Sequence, residues 1–115
     1  MPAIEIRRVY DHAPPPAGRE VLVDRVWPRG KSKADLKDAL WLKDVAPSAA
    51  LRKWFDHDPA RWDEFRRRYF AELDANPAVG RLREIAGQGP VVLLYGARDE
   101  AHNQAVALRE YLARS

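Results

Sequence analysis

Two clusters of reactive side chains stand out, each where an apolar run gives way to polar sequence. The first is Asp24, Arg25, Trp27 and Arg29, directly after Val21, Leu22 and Val23. Asp24 is either a general base or the structural partner of a buried arginine. Arg25 and Arg29 can fork onto a phosphate or carboxylate while the Trp27 indole stacks on a planar group, or Trp27 is core and both arginines pair with acids. The second cluster is Tyr95, Arg98, Asp99, His102 and Asn103, after the run Val91–Leu94. With Asp99 read as a helix N-cap, His102 falls in the first helical turn, where it is either an acid or base or a capping partner of Asp99. Arg98 in the turn can clamp an oxyanion, Tyr95 can place a hydroxyl at the sheet rim, and Asn103 supports them.

The elements that must hold these clusters follow from periodicity. Ile4 and Ile6 alternate with charged residues in a first strand ending near Tyr10, its direction left open. Pro14, Pro15, Pro16 and Gly18 make residues 12 to 18 a stiff surface loop containing His12. Val21, Leu22, Val23 and Val26 form a second strand stopped by Pro28 and Gly30. Residues 30 to 38 are polar and without apolar period, hence an exposed loop. Leu40, Trp41, Leu42 and Val45 return to the core in a conformation that their pattern does not specify.

Three helices come next. Pro47 opens one with Leu51, Trp54 and Phe55 on one face, and Asp58 with Pro59 caps a second that runs to about Asp74. His57, in the turn between them, reads as a local helix-end contact. Asn76 with Pro77 starts the third, ended by Gly87 and Gly89. Val91–Leu94 is then a strand buried on both faces, and Ala101, Ala105, Leu108 and Leu112 recur at helical spacing behind it.

The second helix contains an anomaly. Trp62, Phe65, Tyr69 and Leu73 make one apolar stripe, and Arg66 falls inside it. An unpaired charge there is costly, so Arg66 either pairs with a buried carboxylate or faces the site.

The order of elements implies an α/β fold. Residues 1–115 are expected to form one small domain, a short and mainly parallel sheet of about three strands packed with about four helices in two or three layers. Parallel strands deliver both clusters to the same carboxyl-end rim, where ligands of open α/β sheets bind. The candidate site is therefore His102 and Asp24 as proton-transfer groups, with Arg25, Trp27, Arg29, Arg66, Tyr95, Arg98 and Asn103 as ligand contacts.

Composition narrows the chemistry. The chain has no cysteine, which removes disulfides, thiol catalysis and Cys-ligated metals, and no pair of its 3 histidines has metal-ligand spacing. No metal and no cofactor are expected. There is no Gly-x-Ser-x-Gly elbow, dinucleotide fingerprint or P-loop. No long apolar span and no leader-like N-terminus appear, so a cytoplasmic protein without a membrane partner is expected. The formal net charge is +3, and arginine dominates the 20 cations, which favours a small anionic ligand, phosphate-bearing or otherwise. The alternative is an interaction module that binds nucleic acid or a protein through Arg61, Arg67, Arg68, Lys31 and Lys33, although acids are interleaved with them. Whether the chain is an enzyme, and its oligomeric state, are not fixed by these features.

Three segments carry a resemblance. LVDRVWPRGKSK (22 to 33), LKDVAPSAALRKWFDHDPARWDEFRRRYFAEL (42 to 73) and VVLLYGARDEAHNQAVALREYL (91 to 112) resemble the YeaO-like branch of the domain-of-unknown-function 488 family. The resemblance implies a small bacterial α/β domain with no established reaction. Members of the wider family carry a Cys at the end of the last strand and a Cys-His-Arg-like run opening the helix. Tyr95 and Asn103 stand in those places, so the thiol or metal chemistry imagined for such relatives is not expected.

Overall fold

The computed structural model describes residues 4–11 and 18–114. Residues 12–17, with the proline run and His12, lie outside the described residues. The sheet is built on β4 (Val91–Tyr95), whose five residues are all buried. That is why it reads as an unbroken apolar run rather than an alternating one. β1 (Ile4–Arg8) pairs with one edge of it, Ile4 opposite Val91 through Arg8 opposite Tyr95. β2 (Arg19–Leu22) pairs with the other, Arg19 opposite Val91 through Leu22 opposite Leu94. β3 (Leu40–Trp41) adds a two-residue edge beside β2. The order is β1-β4-β2-β3 and every pairing is parallel.

The expected fold class is observed, with refinements. The first strand is parallel, and a fourth short strand accompanies the three foreseen. Val26 does not belong to β2, because the strand ends at Leu22 and Val26 is 66% exposed. The chain turns outward after Val23, whose N–H still donates to the Leu94 carbonyl at 3.1 Å.

Four helices cover one face: α1 (Ala49–Phe55), α2 (Trp62–Asp74), α3 (Ala78–Gly87) and α4 (Gln104–Ala113). Their apolar stripes join Val21, Val23, Val91, Leu93 and Tyr95 in one cluster. On the opposite face Val9, Leu22, Val92 and Leu94 are covered by Tyr10, Trp27, Leu36 and Ala39 from the connecting segments. The arrangement is one helical layer and one sheet, its second face roofed by irregular chain.

Local chemistry sets the helix ends. The Ser48 hydroxyl accepts the Leu51 N–H at 3.2 Å and donates to Glu72 at 2.6 Å, which ties the start of α1 to α2. A 3-10 turn at Pro59–Arg61 precedes α2, with Asp58 accepting from the Ala60 N–H. Within the core the Tyr69 hydroxyl donates to the Val45 carbonyl. Phe55 and Phe65 stack with centroids 4.3 Å apart, joining α1 to α2. Removing such a ring from a closed core costs about 3–5 kcal/mol.

The start of α4 differs from expectation. Asn103 is the N-cap, its side-chain oxygen accepting the Val106 N–H at 3.1 Å. Asp99 instead caps a preceding turn, so His102 lies before the helix rather than in its first turn. Both residue types are good caps, and the local turn took Asp99.

Candidate functional site

Because β2 and β4 are parallel, the chain leaves both at the same rim. There Asp24 Oδ2 accepts the Gly96 N–H at 2.8 Å, and Asp24 Oδ1 accepts from the Gln104 side-chain amide. The approach needs a small residue at 96, since a Cβ there would stand 3.0 Å from Oδ2. Burial pushes the Asp24 carboxyl up to about 6, against the opposing pull of these two donors. The Trp41 indole N–H donates to the Asp24 carbonyl at 2.8 Å, fixing the edge strand to the same corner.

Asp99 organises the loop after β4. Its Oδ1 accepts the N–H groups of Ala101 and His102, each at 2.9 Å, and its Oδ2 lies 2.9 Å from His102 Nδ1. The Ala101 N–H, then the His102 ring, hold the Asp99 carboxyl below the usual range. The Asn103 amide donates to the Asp99 carbonyl at 2.8 Å, and Asn103 is 2% exposed. The Trp62 ring meets His102 edge-on with centroids 5.4 Å apart. His102 is thus a braced side chain with one ring nitrogen committed to Asp99.

A cleft of about 350 Å³ opens between this rim and the end of α1. Its polar wall is Asp24, Arg25, Arg52, His57, His102, Asn103 and Gln104. Its apolar wall is Val26, Ala46, Pro47, Phe55, Phe65 and Ala97, with Gly96 between them. Of the nine residues singled out from the sequence, the cleft gathers Asp24, Arg25, His102 and Asn103.

The other five stand elsewhere. Trp27 turns to the opposite face of the sheet, its indole N–H donating to the Lys31 carbonyl at 2.7 Å and its ring edge-on to Trp41. Arg29 is exposed beyond it, with its carbonyl held by the Tyr10 hydroxyl at 2.7 Å. Tyr95 points into the helical core, 2% exposed, and burial raises its phenol. Arg98 is exposed outside the cleft. Arg66 pairs instead of facing the site, donating through both Nε and an Nη to the Glu110 carboxylate on α4, which is half-exposed rather than buried as expected.

Of the polar cleft residues, Arg52 and Gln104 had no sequence signal, and His57, read from the sequence as a local helix-end contact rather than a ligand, also lines the cleft. Arg52 and His57 come from α1 and the turn after it, which fold over the rim from a distance no local pattern records. Gln104 is the first residue of α4, visible only once Asn103 is known to cap that helix. Among the described residues no three His, Asp or Glu side chains group as a metal site. No helix among them is long and apolar enough to cross a membrane.

Comparison with known proteins agrees with the motifs. A family model described as the "Inactive DUF488-N3 subclade" matches residues 3–115. The chain is 42% identical over 110 residues to the uncharacterised protein YeaO of Escherichia coli, covering 95% of this chain and 96% of that one. It is 41% identical over 109 residues to uncharacterised proteins of Mycobacterium tuberculosis and Mycobacterium bovis, covering 95% of this chain and 92% of theirs. No solved structure matches significantly. The chain belongs to the domain-of-unknown-function 488 family, in its YeaO-like branch and the subclade described as inactive.

Proposed function

We propose that the protein binds a small anion in the cleft at the carboxyl end of β2 and β4, holding it without turnover. The observation that carries this reading is the convergence of Arg25, Arg52, His57, His102 and Gln104 on one cleft with an aromatic floor. Concave, largely apolar sites with a few convergent polar groups are the usual form of small-molecule sites. Arg52 has no carboxylate partner among the described residues, so its guanidinium is available to a ligand.

Binding is favoured over catalysis on three grounds. Both carboxylate oxygens of Asp24 already accept hydrogen bonds from the protein, which makes it the tie between the two loops rather than a poised base. One His102 nitrogen is likewise committed to Asp99, which leaves the ring as a contact to ligand. The matching subclade is described as inactive, and the resemblance implies cysteines in many relatives where this chain has Tyr95 and Asn103. The basic helix face is a weaker candidate, since Arg67 and Arg68 both pair with Glu64 and Arg61 lies 3.6 Å from Asp58.

The test is a thermal-unfolding screen across nucleotides, sugar phosphates and organic acids, repeated on Arg25→Ala and Arg52→Ala. Stabilisation of the wild type by one anion class, reduced in both variants, is expected. No stabilisation by any anion, with both variants folded, would overturn the reading.

A further inference from the structure

The walls of the cleft restrict the kind of anion, on the premise that an anion binds there. Two permanent cations face it, Arg25 and Arg52, and one carboxyl group, Asp24, faces them. With Asp24 ionised, these three groups together carry one net positive charge. Arg25 is further offset by Asp44, 3.9 Å away. A phosphate monoester brings about −1.5 to −2 charges, more than the one net positive charge here matches, and it would share the cleft with the Asp24 carboxylate. A carboxylate brings one charge and two oxygens, the complement of a single guanidinium fork.

The rest of the lining argues for an apolar body on the ligand. Phe55 and Phe65, stacked on each other with rings tilted by 26°, back the cleft, but at 6% and 2% exposure they leave a ligand little surface to cover. The open part of the apolar wall is Val26, 66% exposed, and the half-buried Ala97, whereas Ala46 and Pro47 are buried. Covering such surface contributes roughly 25 cal/mol per Å² of apolar area removed from water, a gain that a hydrated sugar cannot realise. At about 350 Å³ the cleft is near the small end of ligand sites, which suits one ring with a short acidic arm.

We infer that the ligand is a small monocarboxylic acid with an apolar body, that body packed against Val26 and Ala97 and its carboxylate held at the mouth by the Arg52 guanidinium. Arg25 adds long-range attraction. His57 and Gln104, also in the lining, are further hydrogen-bonding partners for the ligand.

Four probes separate the terms: phenylacetate, its neutral amide phenylacetamide, phenyl phosphate and glucose 6-phosphate, each titrated at neutral pH into ¹⁵N-labelled protein. The expected result is saturable binding of phenylacetate at least tenfold tighter than each of the others, with shifts centred on Ala97 to Gln104 and on His57. Arg52→Met, an exposed helix position, is expected to weaken phenylacetate tenfold while leaving the unfolding temperature unchanged. Tighter binding of either phosphate would overturn the carboxylate assignment and leave the anion reading standing. Equal binding of the amide would overturn both, whereas no binding by any probe would overturn the carboxylate assignment alone, the anion reading being decided by the wider screen. Shifts confined to another surface would also overturn the inference.

Discussion

The carboxylate of Asp24, at the end of β2, accepts the main-chain N–H of Gly96, at the end of β4, across 72 residues of sequence. This contact turns two separate strand ends into one rim. It exists because the strands are parallel and adjacent, so their carboxyl ends emerge together, and because residue 96 has no side chain to block the approach. Gln104 closes the other oxygen, so the start of α4 is fastened to the same carboxylate.

The fastening has a pH signature. The Asp24 carboxyl is raised from an ordinary 3.8 to about 6 by burial. Between those values the folded chain keeps a proton that the unfolded chain has released. The associated stability is therefore fully present below about pH 4 and is lost as pH rises through 6. It amounts to about 3 kcal/mol at most, taking 1.36 kcal/mol per pH unit. Asp24→Asn keeps an acceptor for Gly96 and removes the ionisation, so its stability should be flatter between pH 4 and 8 and exceed that of the wild type at pH 8. Urea unfolding of both proteins across that range measures the difference. Parallel curves would mean that Asp24 is well solvated.

Gly96→Ala tests the close approach directly. A Cβ 3.0 Å from Asp24 Oδ2 forces a displacement of a few tenths of an ångström at the rim. A loss of about 1–2 kcal/mol is expected, typical of crowding in a packed setting. In an Asp24→Ala background the same substitution should cost less than half as much, because the crowded atom is gone. Additive losses in this double-mutant cycle would place the strain elsewhere.

Much of this architecture was legible in the sequence, for identifiable reasons. β4 was visible because burial on both faces leaves no polar alternation, and α2 and α3 because their stripes are regular and the pairs Asp58-Pro59 and Asn76-Pro77 precede them. β3 was not visible, since two edge residues with Trp41 37% exposed carry no period. The roof formed by Trp27 and Leu36 is equally silent, as apolar residues in irregular chain look like any loop. At the site, Asp24, Arg25, His102 and Asn103 could be read from their strand-end positions. Arg52 could not, and His57 read only as a local helix-end contact, because their place depends on how α1 lies over the rim. Arg66 was correctly marked as needing a partner, but nothing local named Glu110.

That partner provides the next expectation. Arg66 and Glu110 join α2 to α4 in a two-pronged ion pair, with side chains 28% and 39% exposed. Such partly solvated pairs couple by roughly 1 kcal/mol or less. Arg66→Met and Glu110→Gln should therefore each cost little, with a coupling energy that shrinks as salt is raised. Neither change should alter cleft binding, since neither residue lines it. A coupling of several kcal/mol, or a lost ligand response, would show the pair to be a hidden support of the site.

The turn between α1 and α2 holds the last test. Asp56 and His57 occupy the left-handed region in succession, at φ 48° and 53°. Side chains with a Cβ lose roughly 1–2 kcal/mol there, whereas glycine has no such penalty. Asp56 is in a position where helices often end this way, its N–H donating to the Arg52 carbonyl at 3.0 Å. His57 repeats the conformation one residue later, and the result is that its ring reaches the cleft beside Phe55, with centroids 6.5 Å apart. If the backbone sets the cost and the side chain serves the ligand, the two effects separate under substitution. His57→Gly should hold or raise the unfolding temperature while weakening ligand binding. His57→Val, whose branched Cβ resists positive φ, should lower the temperature and weaken binding together. Equal destabilisation by glycine and valine would mean that contact of the ring with Phe55, rather than the strained turn, is what His57 contributes.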